Sequence, residues 1–147
     1  MPSKFIDYNG PIVTQILVFK GMRQMHLMHN DQVLRKYDIS LGFAPEGHKQ
    51  REGDGRTPEG HYIIDRKNPN SQFYLSIGIS YPNTPDRTHA ITMGYDDPGG
   101  DIFIHGRSWR YAGATDDWTD GCIAVSNAEM REIYAMVDVG TVILIHP

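Results

Sequence analysis

One cysteine and one histidine of this chain have the chemistry needed for acyl transfer. Cys122 is the single cysteine of the 147 residues and follows Gly121, and His105 lies seventeen positions upstream at the end of a short apolar run. A lone cysteine is either a buried small hydrophobe or a reactive thiol. A thiolate attacks carbonyl carbons well but needs a base to take its proton. The combination favours a reactive thiol, with Cys122 as nucleophile and His105 as base.

Neighbouring residues are further candidates for this site. The Gly106 carbonyl can hold the imidazole tautomer, and the N–H groups of Gly121 and Cys122 can form an oxyanion hole. Arg107 suits a substrate carboxylate because a guanidinium binds it in a bidentate way. Asp120 can pair with a histidinium, raise the thiol pKa by like charge, or bond to its own backbone at a turn.

The segment between base and nucleophile carries further polar and aromatic side chains. Arg110 repeats the chemistry of Arg107, although a solvated surface position suits it equally well. The aromatic residues fit either the wall of a cleft or ordinary packing; they are Trp109, Tyr111 and Trp118.

Size and composition exclude several classes of protein. A chain of 147 residues predicts one domain, residues 1–147, with one sizeable core. A net charge of −4 argues against a nucleic-acid partner, which is usually met by a basic face. The chain has no run of about 20 apolar residues, so no transmembrane helix is predicted. The first ten residues lack the basic and apolar regions of a signal peptide.

A histidine-ligated metal site is an alternative chemistry. His61 and His89 flank the predicted cleft and could join His105 around a zinc ion. No two of the three are close enough in sequence to form a local ligand pair. We therefore expect neither a metal nor a cofactor.

The elements that must position these residues are mostly strands. Apolar and alternating segments predict a meander followed by further strands; they are residues 12–19, 24–29, 33–41, 61–65, 73–79, 101–104 and 141–145. The strand over 101–104 delivers His105 at its end. Residues 46–60 form a polar loop predicted to rim a cleft, and residues 81–87, with two prolines, predict a rigid loop.

One helix is clear, directly after the cysteine. Ser126 and Glu129 form a capping box. Apolar residues then recur at helical spacing up to Gly140; they are Met130, Ile133, Tyr134 and Val137. Cys122 therefore lies on the turn before this helix.

At these residues the chain resembles the catalytic domain of L,D-transpeptidases of the YkuD type. That family carries His-Gly after a strand, then a spacer and Ser/Thr-x-Gly-Cys, which His105-Gly106 and Thr119-Asp120-Gly121-Cys122 match. Residues 57–60 resemble its Thr-Pro-x-Gly turn. Three segments resemble those of the branch that includes enzymes severing lipoprotein from peptidoglycan: residues 53–60, residues 68–71, and Tyr81-Pro82-Asn83 with Asp86-Arg87. The resemblance extends over about residues 12–145.

The resemblance implies a mainly β, sandwich-like fold and action on peptidoglycan stem peptides. In the family, the cysteine attacks the carbonyl at the L-centre of meso-diaminopimelate, expels D-Ala and forms a thioester. An amine then gives a crosslink, and water gives hydrolysis. It implies Cys122 as nucleophile, His105 as base, Gly106 as orienting carbonyl, and a periplasmic or cell-envelope location. The substrate-binding residues it implies are Arg107, Thr119, Asp120 and Tyr81.

Two positions depart from the family's commonest motif. Asp120 replaces a histidine two positions before the cysteine, and Ala124 replaces an arginine or asparagine two positions after it. Hydrolysis of peptidoglycan or lipoprotein crosslinks therefore stays open beside transpeptidation, as does an inactive peptidoglycan-binding module. If His105 acts as a base, activity should fall as the pH drops through its pKa, about 6.5 when unperturbed.

Overall fold

Eight strands and two helices make up the fold in a computed structural model that describes residues 3–107 and 116–147. The strands are β1 Gln15–Phe19, β2 Gln24–His29, β3 Gln32–Asp38, β4 Gly60–Asn68, β5 Ser76–Ile79, β6 Phe103–His105, β7 Ile123–Ala124 and β8 Val142–His146. The helices are α1 Thr84–Met93 and α2 Asn127–Met136. The mainly β class expected from the sequence is confirmed.

The strands form one curled sheet in the order β3-β2-β1-β8-β4-β5-β6-β7. β4 connects its two halves, because its first residues pair with β8 and its last residues pair with β5. The register shifts between Ile64 and Arg66, and such an irregularity bends a strand. Ser40, just after β3, bridges Ala124 in β7, so the two edges of the sheet meet. This contact shields strand edges that would otherwise be open to pairing.

Alternating apolar residues build the core inside the curl. In β1 and β8 every second side chain is buried; these are Ile16, Val18, Ile143 and Ile145. Each fully buried side chain of this size stabilises the fold by about 1.5–3 kcal/mol. No helix of the described residues is long and apolar enough to cross a bilayer.

The helix predicted after Cys122 is present as α2. Ser126 and Glu129 form the expected reciprocal capping box. Met130, Ile133 and Met136 are buried against the sheet. α2 therefore begins where the sequence pattern places it and covers the core close to the end of β7.

Residues 84–93 form a helix that the sequence analysis missed. The interpretation of residues 81–87 as a rigid loop is wrong from Thr84 onward. Asn83 caps α1 through a reciprocal bond with Asp86, and proline is compatible with the first turn of a helix. Ala90 is the buried residue of α1, so the helix carries no apolar stripe that would reveal its period. β7 was also missed, since two residues are too short for a pattern.

Candidate active site

The parallel pairing of β6 and β7 brings Cys122 and His105 to one face of the sheet. His105 pairs with Ala124 in this register. One residue before the pairing begins, the Phe103 N–H donates to Cys122 Sγ at 3.3 Å. Because side chains alternate along strands, Phe103 and His105 share a face, and their neighbours Cys122 and Ala124 share it too. The sheet thus sets the thiol and the imidazole diagonally opposite each other.

A tight turn presents Cys122 to the cleft. Gly121 has φ +133°, and a Cβ there would lie 2.7 Å from the Arg56 carbonyl oxygen, so the turn requires glycine. The Thr119 hydroxyl donates to the Cys122 carbonyl at 2.6 Å and accepts the Gly121 N–H at 3.1 Å. Of the two N–H groups predicted to form an oxyanion hole, that of Gly121 is therefore engaged by Thr119. The Thr119 hydroxyl does not accept the Cys122 N–H, so this N–H is the candidate donor to a substrate oxyanion.

The Cys122 thiol is held between two backbone groups. It accepts the Phe103 N–H and donates to the Asp101 carbonyl at 3.4 Å. Burial raises the pKa of the thiol to about 11, and the negative charges of Asp120 and Asp101 add to this rise. The Phe103 N–H and the Lys49 ammonium oppose it. Cys122 therefore rests as a neutral thiol, and Asp120 acts on it by like charge.

His105 is buried with its tautomer defined. Its Nδ1 lies 2.5 Å from the Gly106 carbonyl oxygen. A carbonyl only accepts hydrogen bonds, so Nδ1 carries the proton and Nε2 keeps a free lone pair. The Phe73 ring stacks on the imidazole at 4.4 Å, and the Trp118 ring lies at 5.7 Å. Burial lowers the pKa of His105 to about 4, with a smaller contribution from Arg107, while the Gly106 bond opposes the change.

These values decide the charge state of the resting pair. The pKa of Cys122 is raised to about 11 and that of His105 lowered to about 4. Moving the proton across that gap costs about 10 kcal/mol. Even two such charges in contact, at about 4 Å, would attract each other by only about 4 kcal/mol at the effective dielectric typical of proteins. A neutral thiol beside a neutral imidazole is therefore the ground state.

The pair opens into a cleft of about 890 Å³ whose described lining residues carry more negative than positive charges. Within the described part of the chain its acidic lining residues are Glu52, Asp97, Asp101 and Asp120. Lys49 is the basic residue among the described lining, and its buried ammonium pairs with Asp54 at 3.0 Å. Such a field attracts cationic groups and repels carboxylates.

The polar loop of residues 46–60 forms one rim of this cleft through Lys49 and Glu52. Asp54 organises the loop, because its carboxylate accepts the N–H groups of Gln50, Arg51 and Arg56. These bonds hold the pKa of Asp54 below its usual range although burial opposes them. The ion pair between Asp54 and Lys49 therefore lies at the centre of this loop.

The remaining predicted site residues lie at different distances from the cleft. Thr119 and Asp120 line it, whereas Tyr81 is buried and donates its hydroxyl to the Pro98 carbonyl at 2.6 Å. Arg107 lies behind the lining, with Nη2 donating to the Ser40 hydroxyl at 3.3 Å and its guanidinium over the Trp118 ring. The substrate-binding roles of these four residues stay predictions. Arg110, Trp109 and Tyr111 lie outside the described residues.

Sequence reasoning missed residues whose role depends on distant contacts. Phe73 was assigned only to a strand, yet its ring covers His105. Asp101 has φ +52°, which asparagine and aspartate tolerate better than most residues. Its carbonyl oxygen accepts a hydrogen bond from the Cys122 thiol. No local pattern marks either contact. In residues 3–107 and 116–147, no three His, Cys, Asp or Glu side chains come together to hold a metal, so His61, His89 and His105 form no such group.

Comparison with known proteins shows the family of this chain. The YkuD family, described as the L,D-transpeptidase catalytic domain, matches residues 14–145. A relative in Escherichia coli (strain K12), named "Putative L,D-transpeptidase YafK", is 34% identical over 134 residues, or 87% of this chain and 48% of its own length. The chain thus spans about half the length of that relative.

Solved structures share the fold. The helical cell shape determining protein Pgp2 from Campylobacter jejuni is 25% identical with a TM-score of 0.69, over 95% of this chain and 49% of that chain. An L,D-transpeptidase from Xylanimonas cellulosilytica is 18% identical with a TM-score of 0.61, over 95% of this chain and 63% of that chain. With the family match over most of its residues, the chain belongs to the YkuD family of L,D-transpeptidase catalytic domains and is an enzyme of this family.

Proposed function

We propose that this chain is a single catalytic domain that transfers acyl groups of peptidoglycan stem peptides through a thioester on Cys122. The observation that carries the proposal is that Cys122 and His105 line one cleft, with Nδ1 of His105 bonded to the Gly106 carbonyl so that Nε2 is free to accept a proton. Family membership supplies the substrate class, a peptide bond at the L-centre of diaminopimelate.

Acylation follows from the charge state of the pair. The Cys122 thiol leaves the Asp101 carbonyl and gives its proton to Nε2 of His105 as Sγ attacks the substrate carbonyl carbon. The Nδ1 bond to Gly106 stabilises the imidazolium that forms, and the Cys122 N–H donates to the developing oxyanion. Collapse breaks the peptide C–N bond, Nε2 returns the proton to the departing amine, and the acyl group stays on sulfur.

Deacylation by an amine fits the charge of the cleft. The acidic lining, Glu52, Asp97, Asp101 and Asp120, attracts the ammonium group of a second stem peptide or of an amino acid. The bound ammonium first loses one proton to solvent, and His105 takes a second proton from the neutral amine as it attacks the thioester and returns it to the departing Cys122 sulfur. The thiol leaves, a new amide forms, and the result is a crosslink or an exchanged residue.

Hydrolysis is the second candidate, and the same acidic lining favours it for some substrates. The leaving group of a tetrapeptide donor is D-Ala with a free carboxylate, which the four acidic residues repel. A crosslink in which that carboxylate is amidated or remote, including one to a lipoprotein, avoids this repulsion. With water as acceptor the enzyme would then cleave the link. Either activity places the protein in the periplasm or cell envelope, where peptidoglycan lies.

Mass spectrometry of reaction products tests the proposal. Wild type, Cys122→Ala and Cys122→Ser are incubated with diaminopimelate-containing tetrapeptide muropeptides, with and without a D-amino acid. Exchange or dimers from wild type alone support transpeptidation, and tripeptide alone supports hydrolysis. The serine variant keeps the size of the side chain and should lose at least about a thousandfold in rate, because a hydroxyl is much harder to deprotonate. Undiminished turnover by Cys122→Ala would refute the thioester mechanism.

A further inference from the structure

The peptide unit that orients His105 is itself held by one side chain of α2. The Gly106 carbonyl accepts the Nδ1 proton of His105, and the N–H of the same peptide unit belongs to Arg107. That N–H donates to Asn127 Oδ1 at 2.7 Å. A trans peptide is planar and its C=O and N–H point in opposite directions. Fixing the N–H therefore fixes the direction in which the carbonyl faces the imidazole.

Close approach at Gly106 shows how tightly this arrangement is built. A Cβ on Gly106 would lie 2.5 Å from Asn127 Oδ1 and 2.9 Å from the Phe73 carbonyl oxygen. The absence of a side chain lets the asparagine oxygen reach the next N–H. On either side, backbone bonds hold the chain: Gly106 N–H donates to Leu75 O and Val125 N–H donates to His105 O. Asn127 supplies the side-chain hydrogen bond that holds the backbone at Gly106 together with these two backbone bonds.

We propose that Asn127 is a positioning residue for the catalytic base, acting through the Gly106–Arg107 peptide. Its Oδ1 holds the peptide plane so that the carbonyl keeps the proton on Nδ1 and leaves Nε2 open toward the thiol. The chain of bonds from Nδ1 through the peptide to Oδ1 also polarises the carbonyl and strengthens its acceptor power. The residue does not touch substrate. The inference rests on the proposed function only where turnover is the readout.

Two measurements test it, one of them independent of any substrate. Nitrogen NMR of the ring nitrogens of His105 reports the tautomer directly in Cys122→Ala and in the same background with Asn127→Ala. The expected result is a protonated Nδ1 and an unprotonated Nε2 in the first protein, and a mixture of tautomers in the second. An unchanged tautomer after Asn127→Ala would overturn the inference, whether or not the protein acts on peptidoglycan.

Turnover is the second readout, with variants chosen to separate positioning from folding. Asn127→Ala should lower kcat by about 10- to 100-fold with little change in KM, the range seen when partners that orient a metal-ligating histidine are removed. Asn127→Asp keeps an acceptor oxygen and should stay within about threefold of wild type.

Ser126→Ala is the matched structural control. Its hydroxyl caps α2 through the Glu129 N–H, at the same helix end but outside the His105 network. It should reduce thermal stability while kcat falls less than threefold. Equal losses of kcat in Ser126→Ala and Asn127→Ala would show that Asn127 only supports the helix, and so would failure of the aspartate variant to recover activity. A wild type without turnover would count against the proposed function while the NMR result still decides the role of Asn127.

Discussion

Removal of the Phe73 ring should raise the pKa of His105 and move the acid limb of activity to higher pH. The imidazole is buried, and its pKa is lowered to about 4 from the usual 6.5. That difference corresponds to about 3 kcal/mol against the charged form. Phe73 stacks on one face of the ring at 4.4 Å, while Trp118 lies tilted at 5.7 Å and stays in place. Admitting water to one face should restore somewhat less than half of the shift, about one pKa unit.

The assay is the pH dependence of kcat/KM in wild type and Phe73→Ala, each normalised to its own plateau. Because the base must be neutral, activity falls as the pH drops through the pKa of His105, near 4 in wild type and about 5 in the variant. Phe5→Ala removes an exposed ring packed on Tyr134 and should leave the limb unchanged. Circular dichroism at each pH separates loss of folding from titration.

Two results would refute this reasoning. A wild-type limb near 6.5 would mean that burial does not suppress the charge on His105. A wild-type limb near 4 that stays there in Phe73→Ala would mean that the ring is not what excludes water from the imidazole.

Other predictions concern stability and thiol reactivity. In urea denaturation, the free energy of unfolding should fall by up to about 3 kcal/mol as the pH drops from 6.5 to 4, since unfolded His105 binds a proton that the folded protein does not; His105→Gln should remove this part of the slope. Asp120→Asn should speed alkylation of Cys122 by iodoacetamide at pH 8 several-fold, because loss of the Asp120 charge lowers the thiol pKa. Mass spectrometry measures the rate, and an unchanged rate would contradict repulsion between Asp120 and the thiolate. Asp54→Ala should cost about 3 kcal/mol or more in thermal or urea unfolding because the buried Lys49 side chain and three backbone N–H groups lose their acceptor, whereas a cost near zero would show that water replaces the carboxylate.

Local patterns predicted the elements in which neighbouring residues carry the signal. The capping box at Ser126 and the apolar spacing after it marked α2, and alternation marked the strands of the meander. α1 was not predicted because it has a cap at Asn83 but no apolar face, and Pro85 suggested a loop. The signals for this helix are its cap and the proline in its first turn, and a search for apolar periodicity detects neither.

Residue type and spacing alone predicted Cys122, His105 and Gly106 as the reactive group, because the chemistry of a thiol, an imidazole and a carbonyl belongs to those residues wherever they lie. Only the tertiary structure decided the charge state of the pair. The ring of Phe73 comes from a distant part of the chain to exclude water from His105, and the pKa of a buried group depends on such neighbours. The contact between Asn127 and Arg107 likewise exists only after the start of α2 meets the residues that follow β6, because no spacing in the sequence fixes the distance between two separate elements.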